Sequence, residues 1–373
     1  MLFSVSEIDV LRLLRWCRYI PRERLTAVFP QELLDGLAFL RLIKLYQKHD
    51  AYVLTGNGNR FLDAHLEGLP PAIRPSYREQ DYEKRAGTAA FFLTAYRAGL
   101  SVFHIDAEAL EENGACYLTA LSRVRGLNPW GSTRVAALIR LGGSVCGVYG
   151  VEGGKGTLSL LDELKTLRNN TESLQGADRS LIFTGESSES ICEALGTKSG
   201  EAKGRLLTYG EILSSVSIPV YLIPCDAVGI RQLRLLSRKN YRTVMTRVAL
   251  RENYIPPPPE HPEWDALYHN APLVMAADMD LRRIEKAVYS AQESGYGPIS
   301  LVCLKGQNKL LRQRYKERGL VNSIFTFSET AESAVGIEGV YTPPVRQYET
   351  TKGEVIHAPF IQAAGKDRGP RRG

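Results

Sequence analysis

In the stretch GIRQLRLLSRKNYRTVMTR, Arg231, Arg234 and Arg238 recur at spacings of three and four residues. On a helix those positions share one face, so they form either a phosphate-binding stripe or a solvated surface. Lys239, Arg242 and Arg247 extend the charge, and Tyr241 is placed to stack on a base. In a second stretch, KGQNKLLRQRYKERG, Lys305, Lys309, Arg312, Arg314, Lys316 and Arg318 stand against Glu317 alone. Cations in such patterns hold a nucleic-acid backbone and confer salt-dependent affinity, not sequence choice.

The acidic residues offer candidates for catalysis. A metal-dependent nuclease core needs a carboxylate on the first strand of a hairpin, then an acid, a spacer and a lysine on the next. The carboxylates hold the ion and the lysine orients water. The first strand here, STRVAALIRL, carries no carboxylate. The second offers Glu152 and Lys155 with one residue too many between them. Asp162-Glu163-Leu164-Lys165 has the right spacing, but its leucine period places it on a helix. Asp278 and Asp280 follow the apolar run PLVMAA. They could bind a divalent ion there, or Asp280 could cap the helix that begins at Leu281. The alternative to a non-catalytic protein is therefore a nuclease using Glu152, Lys155, Asp278 and Asp280. The loop Gly150 to Thr157 lacks the spacing of a phosphate-binding loop, because Gly156 separates Lys155 from Thr157. No cofactor and no metal are expected.

These residues need elements to position them. Ser6 is placed to cap a helix over Glu7–Tyr19, Pro21 opens a shorter helix, and a third runs from Gln31 to about Leu42. In LIKLYQKHDAYVLTGNGNRFL, two apolar runs flank Gln47 to Asp50, which predicts a hairpin with a charged tip, followed by a helix capped by Asn57 or Asn59. Three helices and a two-stranded wing make a winged helix-turn-helix over residues 1–66. Its candidate phosphate contacts are Arg41, Lys44, Lys48, His49 and Arg60. The third helix begins with Glu32 and Asp35, which disfavours phosphate and suits a protein-docking role instead.

The remainder reads as an α/β protein. Residues 67–130 are a linker and helical segment, and 131–254 a mixed-sheet core with a last strand around Val244 to Leu250. The run IPPPPEHPEW marks a Pro-rich linker over 255–271. A C-terminal βαβαβ unit follows over 272–340, then a basic tail over 341–373.

The chain has 373 residues, a formal net charge of +6 and no apolar run long enough to span a bilayer, so no membrane partner is expected. Arg12, Arg15 and Arg18 interrupt the apolar start, unlike a secretory signal, and the six cysteines form no CxxC pair. Both features fit a cytoplasmic protein with reduced thiols.

The winged helix ending LYQKHDAYVLTGNGNRFL, the hairpin RVAALIRLGGSVCGVYGVEGG and the segment VYLIPCDAVGIRQLRLLS together resemble the replication-relaxation proteins of bacterial plasmids and integrative elements. The likeness covers roughly residues 6–250. It implies a winged helix followed by a restriction-endonuclease-like α/β domain, and a role in plasmid replication, DNA relaxation or conjugative transfer. Where relatives often carry an aspartate this chain has Ser132-Thr133-Arg134. The resemblance therefore implies a non-catalytic DNA-binding accessory protein, with double-stranded DNA and replication or conjugation proteins as partners.

Overall fold

The computed structural model describes residues 3–73, 78–124, 126, 129–131, 133–151, 160–172, 174, 177–196, 217–337, 341, 347–349 and 355–357. The chain divides into two units, Met1–Ala89 with Tyr341–Gly373, and Ala90–Val340.

In the first unit, α1 (Val5–Cys17) starts earlier than Ser6 would have it. Ser4 is the cap: its hydroxyl accepts from the Glu7 N–H at 3.1 Å, and the Glu7 carboxylate accepts from the Ser4 N–H at 2.6 Å. Ser-x-x-Glu satisfies two orphan donors at once, which a cap at Ser6 could not do. Val10, Leu11, Leu13, Leu14 and Trp16 of α1 are buried and form the centre of this unit. Around it lie β1 (Ile20–Pro21), α2 (Arg22–Thr26), α3 (Gln31–Phe39), β2 (Ile43–Tyr46), β3 (Ala51–Leu54) and α4 (Gly56–His65). The strands form an antiparallel sheet in the order β1-β3-β2, with Ile43 opposite Leu54 and Tyr46 opposite Ala51. The buried Arg15 ties α1 to α4. Its guanidinium meets the Asp63 carboxylate at 2.7 Å, also donates to Asn59, and reaches the Pro70 carbonyl at 2.7 Å. Burial lowers its pKa, and Asp63 opposes that shift.

α5 (Glu79–Arg97) leads to β4 (Ser101–His104), β5 (Ala115–Leu118), α6 (Ala120–Val124), β6 (Ala137–Leu141), β7 (Ser144–Gly150), α7 (Leu160–Asn170), β8 (Asp178–Gly185), α8 (Ser188–Gly196) and β9 (Val220–Pro224). Among the described residues these strands form one mixed sheet of six, in the order β4-β5-β6-β7-β8-β9. β5, β6 and β7 make an antiparallel meander; β8 and β9 then run parallel to β7. Gly142 closes the β6–β7 turn at φ +60°, a conformation that a side chain disfavours. Residues 67–130 are thus more than a linker with helix, since they supply β4 and β5.

α9 (Ala227–Leu236) and α10 (Tyr241–Leu250) come next. The strand expected around Val244 to Leu250 is the second half of α10. Its β-branched residues suggest a strand, but Tyr241, Met245, Thr246 and Leu250 are buried while Thr243, Val244, Arg247 and Ala249 face solvent. That is the period of a helix. The Pro-rich stretch is also structured in part. Trp264 is buried, its indole N–H donating to the Ser290 hydroxyl at 3.0 Å, and β10 (Ala266–Tyr268) lies within 255–271.

A second sheet has the order β10-β11-β12-β13, with β11 (Ala271–Met275), β12 (Ile299–Cys303) and β13 (Val321–Thr326) parallel and β10 antiparallel to β11. α11 (Leu281–Glu293) joins β11 to β12. α12 (Asn308–Leu311), continued by a wider turn through Lys316, joins β12 to β13. α13 (Glu329–Ala334) follows. β14 (Gln347–Glu349) and β15 (Val355–His357) pair antiparallel. The protein is α/β with mixed sheets. Among the described residues no helix is long and apolar enough to cross a membrane.

Candidate nucleic-acid interface

Thr55 organises the exposed basic surface of the first unit. Its hydroxyl accepts from the Gly58 N–H at 3.0 Å and so caps α4, the place expected of Asn57 or Asn59. The same hydroxyl donates to the Arg41 carbonyl at 2.5 Å, and the Thr55 N–H donates to the Leu42 carbonyl at 3.0 Å. The first turn of α4 is therefore pressed against the backbone that leaves α3. Gly58 makes the approach possible, since a Cβ there would stand 2.1 Å from the Leu42 oxygen.

This packing gathers three of the expected cations. Arg41 ends the α3 turn at φ +56°, with its side chain exposed. Lys44 projects from β2, two residues beyond Leu42, and Arg60 from α4, where it donates to the Asn57 side chain at 2.7 Å. None of the three enters an ion pair among the described residues. The first turn of α4 contains no acid, so its partial positive charge adds to theirs. The inner side of α4 is occupied by Asn59 and Asp63, held by Arg15, which leaves Arg60 on the outside.

The hairpin tip behaves otherwise. The His49 side chain is 2% exposed and meets the Glu79 carboxylate at 3.4 Å. Its ring stacks on Tyr82 at 4.1 Å, and the Tyr82 hydroxyl donates to the His49 carbonyl at 2.9 Å. His49 is thus a packing residue and cannot meet phosphate. Lys48 lies 3.9 Å from the other oxygen of Glu79, which offsets its charge. The solvent face of α3 carries Glu32, Asp35, Gly36 and Phe39, and no cation. That face is unfit to enter a groove lined by phosphates.

In the second unit, the arginine stripe expected to grip DNA holds the protein together instead. Arg231 makes a two-bond contact with the buried Glu332 carboxylate at 2.8 and 2.9 Å and reaches the Lys305 carbonyl at 2.7 Å. Arg234 donates to the Ala98 carbonyl at 3.1 Å, and Arg238 to the Gly336 carbonyl at 3.1 Å. Tyr241 is buried, its hydroxyl 2.5 Å from Asp278, and cannot stack on a base. Arg242 leans toward the same carboxylate at 4.0 Å; Lys239 is exposed. In the second basic stretch, Lys305 pairs with Glu329 and Arg314 with Glu285, while Lys309, Arg312, Lys316 and Arg318 are exposed.

The acidic candidates are held by protein groups. Asp278 is 1% exposed; its carboxylate accepts from Tyr241, from Arg283 at 3.3 Å and from the Asp280 N–H at 3.1 Å. Asp280 caps α11 by accepting from the Arg283 N–H at 3.2 Å. Burial and the neighbouring Asp278 push its pKa up to about 6. Arg283 also bonds Asp265 at 2.8 Å and the Glu263 carbonyl at 3.1 Å, completing a buried ionic network. The arrangement explains these carboxylates as structural, not as metal ligands. Glu152 and Lys155 lie outside the described residues. Strand β6 carries no carboxylate, and Glu163 sits on α7, where it accepts from the Arg134 N–H at 2.8 Å. Among the described residues no three candidate ligands are grouped as a metal would require.

The contribution of Thr55 and Gly58 escapes sequence inspection because Asn57 and Asn59 are equally good caps by type. Comparison with family models, curated proteins and solved structures finds no match to this chain.

Proposed function

We propose that this protein is a non-catalytic DNA-binding accessory protein of a bacterial mobile element, acting in plasmid replication, relaxation or conjugative transfer beside replication or conjugation proteins. The observation that carries the proposal is the patch of Arg41, Lys44 and Arg60 around the start of α4, exposed and without a paired acid among the described residues. Two features of chain order support it. The succession α1, β1, α2, α3, β2, β3 suits a winged helix-turn-helix. The meander β5–β6–β7 followed by parallel β8 suits a restriction-endonuclease-like core. In this proposal DNA is held from the side of β2 and α4, its backbone against three cations, while α3 stays out of the groove.

The test is a titration of fluorescent duplex DNA at several salt concentrations. Each duplex phosphate contact contributes about 0.9 to the slope of log affinity against log salt. Converting Arg41, Lys44 and Arg60 together to glutamine should reduce that slope by about 2 to 3 and weaken all sequences alike. No cleavage is expected with magnesium or manganese. An unchanged slope and affinity in the triple variant would remove the patch from the interface, and with it the proposal.

A further inference from the structure

Two unpartnered surfaces of this chain complement one another. The first is a cleft of about 420 Å³ in the second unit, lined by Val248, Leu250, Tyr268, Leu273, Val302 and Phe325. Leu273, Val302 and Phe325 share one face of the second sheet, because Val302 pairs with Phe325, Leu273 pairs with Ser300, and alternate residues point alike. α10 packs against β11 and leaves the part of this face toward β13 uncovered, where Phe325 is 41% exposed. Arg251 lines the cleft, and Arg247 is exposed one helical turn earlier. The acids nearby are Glu252, and Glu329, which already pairs with Lys305 at 3.3 Å.

The second surface is the outer face of α3. Phe39 is 87% exposed at its end, an aromatic ring with almost no cover. Glu32 and Asp35 precede it by seven and four residues and therefore share its face. Gly36 lies among them, and a Cβ there would meet nothing within 4 Å. The face is thus a single aromatic knob with an acidic shoulder and a flat middle that lets another surface come close.

We propose that Phe39 of one copy seats in the cleft of a second copy, with Glu32 and Asp35 facing Arg247 and Arg251. A phenyl ring suits the aliphatic floor of Val248, Leu250, Leu273 and Val302. Thr326 and Ser328 add hydroxyls to the lining, beside Arg251, where the acidic shoulder of α3 can also be met. Knob and cleft are different surfaces, so the contact is either exchanged between two copies or repeated head to tail. The proposed DNA-binding patch of Arg41, Lys44 and Arg60 carries the opposite charge, though Arg41 lies two residues beyond Phe39.

The experiment is sedimentation velocity on the full chain without DNA, over a broad range of protein concentration. The wild type is expected to gain mass with concentration. Phe39→Ala should weaken association by about 30-fold or more, as loss of a central aromatic anchor does. Glu32→Arg with Asp35→Arg should abolish it, and adding Arg247→Glu with Arg251→Glu to the same chain should restore it. These positions are exposed, so folding is not at stake, and circular dichroism checks that. A wild type that stays monomeric throughout overturns the proposal, as does unaltered association in Phe39→Ala. Should Arg247→Glu with Arg251→Glu lower DNA affinity and leave association untouched, the cleft belongs to nucleic acid and the proposal fails.

Discussion

Gly58→Ala sets two effects of opposite sign against each other. Helix propensity alone predicts a gain of at most about 1 kcal/mol, since alanine is the better helix former. The structure predicts a loss. The new Cβ would lie 2.1 Å from the Leu42 oxygen and 3.0 Å from the Leu54 side chain. Moving the oxygen contact out to 3.0 Å requires a retreat of roughly 0.9 Å, the difference between the two distances. The same oxygen accepts the Thr55 N–H at 3.0 Å and lies 3.1 Å from its hydroxyl. Stretching those bonds and partly stranding the carbonyl costs about 2 to 4 kcal/mol. The net is a destabilisation of about 1 to 3 kcal/mol. Gly36→Ala is the control: its Cβ meets nothing within 4 Å in the middle of α3, so it should stabilise by up to about 1 kcal/mol. Hydrogen exchange followed by mass spectrometry separates the two, because it reads α3 and α4 locally. Exchange in α4 should speed up roughly 5- to 160-fold in Gly58→Ala and slow in the α3 peptide of Gly36→Ala. Equal or slower exchange in Gly58→Ala would refute the close approach of α4 to Leu42.

Further outcomes follow from the buried groups of the second unit. Arg283→Met removes the cation shared by Asp265 and Asp278 and should cost about 3 to 5 kcal/mol in urea unfolding; a loss below about 1 kcal/mol would show that the network contributes little. Burial holds the thiols of Cys116, Cys146 and Cys303 up to about 12, and Cys17 and Cys225 are also buried, whereas Cys192 is partly exposed. Iodoacetamide should therefore label Cys192 first in the native protein, and early modification of Cys116 or Cys146, mapped by peptide mass, would contradict the packing.

Local patterns were legible wherever independent signals agreed. The β6–β7 hairpin around Gly142-Gly143, the Asp280 cap and the alternation of strand and helix after residue 271 all show in the sequence, because turn chemistry and apolar period agree there. Legibility failed where types are interchangeable or where distant partners decide. Val244, Val248 and Leu250 fit a strand as well as a helix until their neighbours choose which faces are buried. Ala266–Tyr268 lies just past prolines yet finds β11 to pair with. Arg231 and Arg234 lie on α9 while Arg238 lies just past its end, but one face of cations looks the same whether it meets phosphate, Glu332 or a carbonyl. His49 looks like a tip residue until Tyr82, which is 33 positions away, closes over it.

The fastenings of α9 bear on how the chain can be divided. Gln232, fully buried, donates both to the Leu222 carbonyl on β9 and to the Asp278 carbonyl beyond β11, at 2.9 and 2.8 Å. Arg231 and Arg238 end on residues beyond 300, and Arg234 on the end of α5. One helix thus serves both sheets as a shared beam, its Gln232 amide nitrogen donating to both. Residues 272–340 resemble a detachable cassette in their strand and helix order, yet excising them would remove one of two acceptors from the buried Gln232 amide and all the carboxylate and carbonyl partners of Arg231 beyond residue 300. Recombination at the proline-rich stretch would therefore yield a fragment with a defect at its centre. The two sheets, parts of one compact unit, are expected to unfold together.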